Sequence, residues 1–402
     1  MRTEIIGRER TNLTVALKEV TEPAKTWNPL RRTTNEVFTY IDLSAIDQET
    51  KTIVGAREVR CTEAPSRARQ LVSAGDVLVA TVRPNLNGVA SVTAELDGAT
   101  ASTGFCVLRP RPSRLDARYL FHWVKSPGFV ADMVKKVTGA NYPAVSDRII
   151  FDSFIPLPSL SEQRQIAKVL DRAEALRVKR RACINRLEFL IQSLFLDLFG
   201  NPITNPKSLP QERLGTVTVN ITDGKHGDCK PCPNSGYFFV SVKDINNGRI
   251  DYSNARQIDP DDFMDVHKRT RLEPGDVLIT NSGTIGKTAI VASTAETQRT
   301  TFQKSVAIVK PKREKLEPQY LKTSLDMCVA RLSRQSSGSS QKNLLLGQLR
   351  DFVICVPPIE MQREYSLRMM AVEKLQTAQQ ASLAELDALS ASLQYRAFKG
   401  EL

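Results

Sequence analysis

The sequence predicts an α/β (α+β) protein in which two mixed α/β domains are joined by two long antiparallel coiled-coil helices. The two halves are expected to be duplicates related by a pseudo-two-fold axis. The 402 residues suffice for two or three domains that each bury a core. Short motifs recur about 200 residues apart, and two segments of nearly 40 residues have the apolar spacing of coiled-coil helices.

The repeat is clearest in a glycine-aspartate turn that leads into an apolar strand. Ala74–Val79 returns as Pro274–Ile279, an offset of 200 residues. Two further pairs keep nearly the same offset: Ala117–Leu120 with Pro318–Leu321, and Phe154–Pro158 with Val353–Pro357. Each half therefore consists of one globular segment followed by one helical segment.

The first helical segment has apolar residues at alternating three- and four-residue steps, the spacing of a coiled-coil seam. Ser159 and Glu162 have capping-box spacing at its start, and Gly200 followed by Pro202 marks its end. We expect a helix from about Ser161 to Phe199. Its predicted seam residues are Ile166, Val169, Ala173, Leu176, Cys183, Leu187, Leu190 and Leu194.

The second helical segment runs from about Met361 to Phe398. Its N-terminal cap is weaker, because no Ser or Thr precedes Pro357 and Pro358. We interpret the two segments as an antiparallel pair; the alternative is that each helix packs only on its own globular half. The seam residues are Val372, Leu375, Leu386, Leu389 and Leu393, with Gln379 and Ser382 as polar interruptions.

The globular segments contain short apolar runs separated by Gly, Asn and Pro turns, which predicts mixed α/β structure. A polar, basic loop without an apolar anchor is predicted over residues 331–343, with a shorter counterpart over residues 138–143. Strands are expected at Val37–Leu43, Val77–Val82, Phe238–Val242, Val277–Thr280 and Ser305–Val309.

These patterns divide the chain into globular segments 1–155 and 202–353 and helical spacers 156–201 and 354–402. The formal charge is +12, from 56 Lys and Arg against 44 Asp and Glu, and most of the excess lies in the globular segments. This balance favours a polyanionic partner, with nucleic acid first.

The chain is expected to be soluble and cytoplasmic, without a membrane partner. No apolar run approaches the ~18–20 residues of a membrane span, and the opening residues lack the apolar core of a signal peptide. The seven cysteines are odd in number and scattered, which favours reduced thiols over a disulfide framework.

The predicted helix length suggests how DNA is read. A helix of about 38 residues is ~57 Å long at ~1.5 Å per residue. Two basic domains held that far apart can reach DNA sites separated by more than one helical turn of ~34–36 Å. Antiparallel duplicated halves approach their half-sites in opposite orientations. The sequence therefore predicts a bipartite DNA target.

Several motifs together resemble the specificity subunits of type I restriction-modification systems, over nearly the whole chain. Residues 151–201 are similar to the central conserved region of that family, and 398–402 to its usual ending. Residues 65–70, 75–78 and 82–86 resemble its first target-recognition domain, and 222–227 and 275–287 the second.

The resemblance implies a non-catalytic DNA-recognition subunit with two target-recognition domains. It implies double-stranded DNA, two methyltransferase subunits and motor-nuclease subunits as partners. It implies no cofactor in this chain, while S-adenosylmethionine, ATP and Mg are expected in the partner subunits.

Two motifs suggest other chemistry. Residues 281–288 end like a phosphate-binding loop, but Asn281 replaces the first glycine, and a strand rather than a helix is expected to follow. His226, Cys229 and Cys232 have zinc-ligand gaps without a matched distal pair. We predict neither a catalytic nor a metal site. The alternatives are a stand-alone DNA-acting enzyme, either a P-loop ATPase or a nuclease, and a scaffold without sequence preference.

Candidate DNA contacts are loop residues, because Arg and Lys pair with guanine, and Asn and Gln with adenine, in the major groove. For residues 281–287, a loop presenting Asn281, Thr284 and Lys287 to DNA is weighed evenly against a structural β-turn. The candidates in the first half are Arg67, Arg69, Arg83, Asn85, Asn87, Asn141 and Tyr142. Those in the second half are Lys225, His226, Lys243, Asn281, Lys287, Gln341 and Lys342.

Overall fold

The chain forms two compact units, each containing one globular half and part of each long helix. The computed structural model describes residues 13–32, 36–138, 143–335 and 343–402. The first unit comprises Met1–Cys183 and Gln379–Leu402, and the second comprises Ile184–Ala378. Both units combine sheets with helices, and the predicted fold class is confirmed.

The first unit contains an antiparallel sheet, in which the strand Val77–Ala80 is central, and a mixed sheet. This strand follows the Gly75 turn, whose φ of +88° favours glycine, and its first three side chains are buried. An antiparallel sheet has the order Val89–Ser91, Val77–Ala80, Phe105–Pro110, Thr21–Pro23. A mixed sheet has the order Lys25–Thr26, Ala68–Leu71, Thr100–Ser102, Val37–Ile41, Arg57–Arg60. Two strand pairs are Thr14–Ala16 with Phe154–Pro156, and Ile46–Asp47 with Thr52–Ile53.

Among the described residues, the second unit repeats all four strands of the antiparallel sheet and three of the five strands of the mixed sheet. Its antiparallel sheet has the order Thr288–Ile290, Val277–Thr280, Val306–Pro311, Thr218–Asp223. Its mixed sheet has the order Arg256–Gln257, Phe238–Val240, Thr300–Phe302. Two strand pairs are Gln211–Arg213 with Val353–Cys355, and Ile245–Asn246 with Arg249–Ile250. The two halves therefore share one architecture, and all five expected strands are present.

Short helices pack on the sheets of both units. Those of the first unit are Leu17–Val20, Ala117–Val124, Pro127–Lys135 and Asp147–Phe151. Those of the second unit are Pro260–Thr270, Pro318–Met327, Val329–Gln335 and Leu346–Asp351.

One of these helices corrects the prediction for residues 331–343. The expected loop begins as the end of the helix Val329–Gln335, because fully buried Leu332 extends the apolar face of Leu325 and Cys328 into the core. The segment therefore has an apolar anchor that the polar composition concealed. Residues 336–342 lie outside the described part of the chain.

The two long helices are Leu160–Phe199, here called the central helix, and Ile359–Lys399, the C-terminal helix. The predicted capping box is present: the N–H of Ser159 donates to the Glu162 carboxylate at 3.1 Å, and the N–H of Glu162 donates to the Ser159 hydroxyl at 3.3 Å. At the other end Gly200 has a φ of +73°. The predicted bounds agree with the structure within two residues at every end.

A buried glutamine fixes the start of each long helix to its own globular half. The side-chain oxygen of Gln163 accepts the N–H of Asp116 at 2.8 Å. Its amide nitrogen donates to the carbonyls of Arg114 and Pro158 at 3.0 and 2.9 Å. Gln362 makes the equivalent bonds in the second unit, at 3.0, 2.9 and 2.7 Å. The repeated glutamine is therefore a structural lock.

The long helices pair antiparallel within each unit. In the first unit Ile166, near the start of the central helix, shares a core with Ala397, near the end of the C-terminal helix. In the second unit the ring of Tyr365 lies 5.7 Å from that of Phe195 and 5.5 Å from that of Phe199. Each helix thus ends on the globular half of the other repeat, which excludes the alternative that each packs only on its own half.

The buried seam departs from the predicted one at several positions, although the predicted positions Cys183 and Ser382 are half-buried. Leu176 and Leu190 are 52% and 42% exposed, and Leu375 and Leu389 are 53% and 51% exposed. Arg177 instead occupies the seam and donates to the carboxylate of a C-terminal-helix aspartate. Both phases of the three- and four-residue steps fit the apolar pattern, so periodicity alone could not distinguish them.

Candidate nucleic-acid interface

The first unit presents a hairpin loop over residues 81–88, between two strands of its antiparallel sheet. The N–H of Arg83 donates to the carbonyl of Pro143 at 2.7 Å. The N–H of Val145 donates to the carbonyl of Thr81 at 2.9 Å. Two backbone hydrogen bonds therefore hold this loop against a second connection of the same domain.

Three candidate residues lie in this loop. Arg83 and Asn85 are exposed, as a DNA contact requires. Asn87 is half-buried, has a left-handed φ of +49°, and donates from Nδ2 to the carbonyl of Lys125 at 3.2 Å. Its buried Oδ1 has no hydrogen-bond partner among the described residues. Asn87 therefore shapes the loop that presents its two neighbours.

Arg67 and Arg69 approach the same loop from the mixed sheet. The N–H of Thr103 donates to the carbonyl of Arg67 at 2.9 Å, and the N–H of Thr81 donates to the carbonyl of Gly104 at 2.9 Å. Thr103 and Gly104 therefore form a turn that links Arg67 to the start of the hairpin loop. The side chain of Arg67 is exposed, whereas half-buried Arg69 folds back onto the preceding carbonyl at 2.7 Å.

The second unit builds the equivalent loop over residues 281–287. The N–H of Asn281 donates to the carbonyl of Ser305 at 3.0 Å, and the N–H of Leu344 donates to the carbonyl of Asn281 at 2.8 Å. The Asn281 side chain is buried, and its Oδ1 has no partner within the described segments. Its burial favours the structural alternative at this position.

The segment that ends like a phosphate-binding loop is a β-hairpin turn. The strand Thr288–Ile290 follows it directly, as predicted, and pairs antiparallel with Val277–Thr280. A phosphate loop requires a helix N-terminus at that point. The structure thus favours a presenting loop or turn over nucleotide binding.

Lys287 and Lys243 are connected through one asparagine. The ammonium of Lys287 donates to Oδ1 of Asn246 at 3.2 Å, and Nδ2 of Asn246 donates to the carbonyl of Lys243 at 2.8 Å. Lys243 is exposed and Lys287 is half-buried. These two candidates therefore lie side by side.

Lys225 and His226 lie in a loop that depends on Gly224. A Cβ at Gly224 would lie 1.8 Å from the carbonyl oxygen of Phe302, so only glycine permits this approach. The Lys225 ammonium donates to the Asp262 carboxylate at 2.6 Å, and this hydrogen bond raises the pKa of Lys225. His226 is exposed, with Nε2 3.1 Å from the carboxylate three residues before it.

Two lysines at these loops were not singled out from the sequence. Lys51 donates to the carbonyl of Asn87 at 2.6 Å, and burial lowers the pKa of its ammonium. Exposed Lys304 donates its N–H to the carbonyl of Lys225 at 3.1 Å. Neither belongs to a motif, so only the three-dimensional proximity reveals them. The remaining candidates, Asn141, Tyr142, Gln341 and Lys342, lie outside the described residues.

The repeated glycine-aspartate turn has a structural role. Asp76 is buried, receives the N–H of Ser73 at 2.8 Å and forms a two-point ion pair with Arg109. Asp276 is buried against Lys310 at 2.6 Å, and burial raises the pKa of its carboxyl. Each aspartate closes the turn before a central strand.

The possible zinc ligands are not assembled. Cys229 is buried, and burial raises the pKa of its thiol. Cys232 is half-buried, and His226 faces an aspartate. No group of three metal-ligating side chains occurs within residues 13–32, 36–138, 143–335 and 343–402. Over the same residues no helix is long and apolar enough to cross a membrane.

The fold and its loops define a duplicated, two-domain recognition protein, and comparison with known proteins identifies its family. The family model for the type I restriction modification DNA specificity domain matches residues 69–188 and 226–387, one match in each half. The matches cover more than half of the chain, so the protein belongs to this family of type I restriction-modification specificity subunits.

Individual relatives agree. The Type I restriction enzyme EcoBI specificity subunit of Escherichia coli is 24% identical over 328 residues, which are 74% of this chain and 68% of that protein. A chain from a structure described as the structural basis of complex assembly and conformational transition of the type I R-M system is 28% identical. Its TM-score is 0.64, over 97% of this chain and 98% of that one.

A crystal structure of a type I restriction-modification S subunit from M. genitalium has a TM-score of 0.56 at 13% identity, covering 96% of both chains, and supports the fold alone. Specificity subunits are recognition subunits. The family therefore assigns this chain a non-catalytic role in DNA specificity.

Proposed function

We propose that the chain reads a bipartite double-stranded DNA target, with one part recognised by each globular half. The observation that carries this proposal is the duplicated hairpin loop, which has equivalent backbone bonds in both units but different side chains. Two copies of one scaffold with different polar side chains suit two different base sequences.

The recognition domains are assigned to residues 1–155 and 202–353, and the helical spacers to residues 156–201 and 354–402. The exposed candidates are the strongest DNA contacts: Arg67, Arg83, Asn85, His226 and Lys243. Half-buried Arg69, Asn87, Lys225 and Lys287 support or adjoin them. Asn141, Tyr142, Gln341 and Lys342 are assigned on residue type alone. About a third of the candidates are expected to touch DNA, since half to two-thirds of protein–DNA hydrogen bonds go to the backbone.

The long helices are assigned as docking surfaces for two methyltransferase subunits. Both helices carry large apolar side chains in solvent, and two pairs occupy repeat-related positions: Leu176 with Leu375, and Leu190 with Leu389. Exposed apolar residues repeated in this way suit protein contacts, and a duplicated surface suits two copies of one partner. Motor-nuclease subunits would join through them, and S-adenosylmethionine, ATP and Mg would be bound by the partners.

The partner assignment is tested by purifying the tagged full-length chain from its native cell at low salt and identifying what accompanies it by mass spectrometry. The proposal predicts a methyltransferase at about two copies per chain. Recovery of the chain alone, with ATPase or nuclease activity of its own, would contradict it and support the enzyme alternative.

The spacer assignment is tested by inserting one heptad into each long helix, at matched positions. Seven helical residues add ~10.5 Å, about three base pairs of DNA. The preferred gap between half-sites should lengthen by that amount while both half-site sequences stay the same. A change of half-site identity would contradict the assignment.

A further inference from the structure

A row of positive charges follows the solvent face of the central helix within the first unit. Arg164, Lys168, Arg172 and Lys179, here called the basic stripe, follow one another at steps of four, four and seven residues. These steps place them on one side of a helix. All four are exposed, and Arg118 lines a shallow groove together with the first three.

The stripe is poorly neutralised. Arg164 lies 3.9 Å from the Asp116 carboxylate, at the limit of an ion pair. For Lys168, Arg172 and Lys179 the described residues provide no salt bridge. Like charges four residues apart destabilise a helix by roughly 0.2–0.5 kcal/mol per pair. Asp171 also lines the groove, but it pairs with Arg118 and His122 rather than with a residue of the stripe.

The C-terminal helix lacks the stripe at the equivalent positions. Its counterparts are Arg363, Leu367, Ala371 and Ala378, of which only the first is a cation. Exposed Arg368 and Lys374 lie nearby, but Arg363 and Arg368 are paired with the carboxylates of Glu317 and Glu364. Leu367 is 69% exposed and the adjacent Met370 is 66% exposed. The second surface, here called the apolar face, consists of Leu367 and Met370.

The two surfaces nevertheless lie near a common feature. Leu176 falls within the span of the basic stripe, and Leu375 follows Met370 by five residues, at repeat-related positions and with nearly equal exposure. The DNA phosphate backbone is bound through cations and hydrogen-bond donors, so DNA binding would not account for the exposed leucines or for the apolar face. A protein partner that contacts one leucine at each site accounts for the exposure of Leu176 and of Leu375. The side chains around these two leucines differ between the sites.

We propose that the two methyltransferase subunits are held by different forces. One docks on the basic stripe through an acidic surface, and the other docks on the apolar face. This inference rests on the proposed docking function and adds that the two sites differ. Identical partners present the same surface twice, so their affinities for the two sites differ, and the contact at the stripe is the more sensitive to salt.

The test uses the full-length chain with the methyltransferase that co-purifies with it. Sedimentation velocity would measure the mass of the complex at about 0.05 M and at about 0.5 M salt. These concentrations lie below and above physiological salt, where charges are screened over ~8 Å. The expected result is two methyltransferases per chain at low salt and one at high salt. Two copies at both salt concentrations would overturn the inference.

A charge-reversal variant identifies the site. K168E/R172E should release one methyltransferase at low salt, with an affinity loss of about tenfold or more. Glu has nearly the helix propensity of Lys and Arg, so the helix should be kept. K135E/K268E changes the charge equally at exposed positions elsewhere and should retain both copies. If K168E/R172E instead leaves assembly intact and weakens binding to a random duplex, the stripe is a DNA contact and the inference is wrong.

The reciprocal variant completes the design. L367S/M370S should lose the copy that resists salt and keep the one that salt removes. Identical behaviour of the two variants would overturn the inference. If no methyltransferase accompanies the wild-type chain at low salt or at high salt, the proposed docking function itself is wrong.

Discussion

Replacing Gln163 by alanine should loosen the central helix from the first domain. The substitution leaves the buried N–H of Asp116 and two carbonyl oxygens without their partners. A buried donor or acceptor without a partner costs about 1–3 kcal/mol. Water is expected to bind the two carbonyls but not the more buried N–H. The expected loss in free energy of unfolding is then that of one unsatisfied buried donor, about 3 kcal/mol at most.

The loss should be confined to the first unit. Hydrogen exchange followed by mass spectrometry would show faster exchange in the helix Ala117–Val124 of Q163A, and urea unfolding would give the total loss. Q165A serves as the control, because Gln165 lies on nearly the opposite side of the same helix and is exposed. Q362A should cause the same effect in the second unit. A change below about 0.5 kcal/mol for Q163A, within the range of ordinary surface substitutions, would refute the assigned role.

Three further outcomes are expected. Burial, reinforced by nearby Lys125, holds the pKa of His122 below its ordinary value. The unfolded chain therefore takes up a proton that the folded chain resists, and stability should fall as pH drops below about 6.5, less steeply in H122Q, by urea unfolding at several pH values. F398A should destabilise the first unit by about 3 kcal/mol in the same assay, because Phe398 packs 5.0 Å from the ring of Trp123. G224A should abolish recognition of one half-site in a duplex-binding assay, because the backbone must move from Phe302.

The sequence predicted the architecture because the relevant signals are local and occur twice. The glycine-aspartate turns, the apolar strands after them and the capped central helix are all encoded within a few residues of each other. The phase of the coiled-coil seam was not predictable, because Arg177 takes a seam position through a partner about 200 residues away. Leu332 was missed for a similar reason, since a single leucine in a polar segment has no period.

The sequence proposed the candidate DNA contacts by residue type alone, and the structure adds which of them are exposed. Arg83 and Asn85 are exposed as a DNA contact requires, while Asn281 is buried and serves the loop. The exposure of a loop side chain depends on which other loop packs beside it. That neighbouring loop is distant in sequence, so the sequence of the hairpin loop does not reveal it. Lys51 and Lys304 were found only because backbone hydrogen bonds bring them to the loops.

The most direct test of two-part DNA recognition is selection of bound duplexes from a randomised library by the full-length chain with its methyltransferase partner. The structure predicts two short preferred blocks separated by a gap of constant length. It further predicts that R83A/N85A changes one block and leaves the other and the gap intact. A single contiguous block, or a change in both blocks, would contradict recognition by two independent halves.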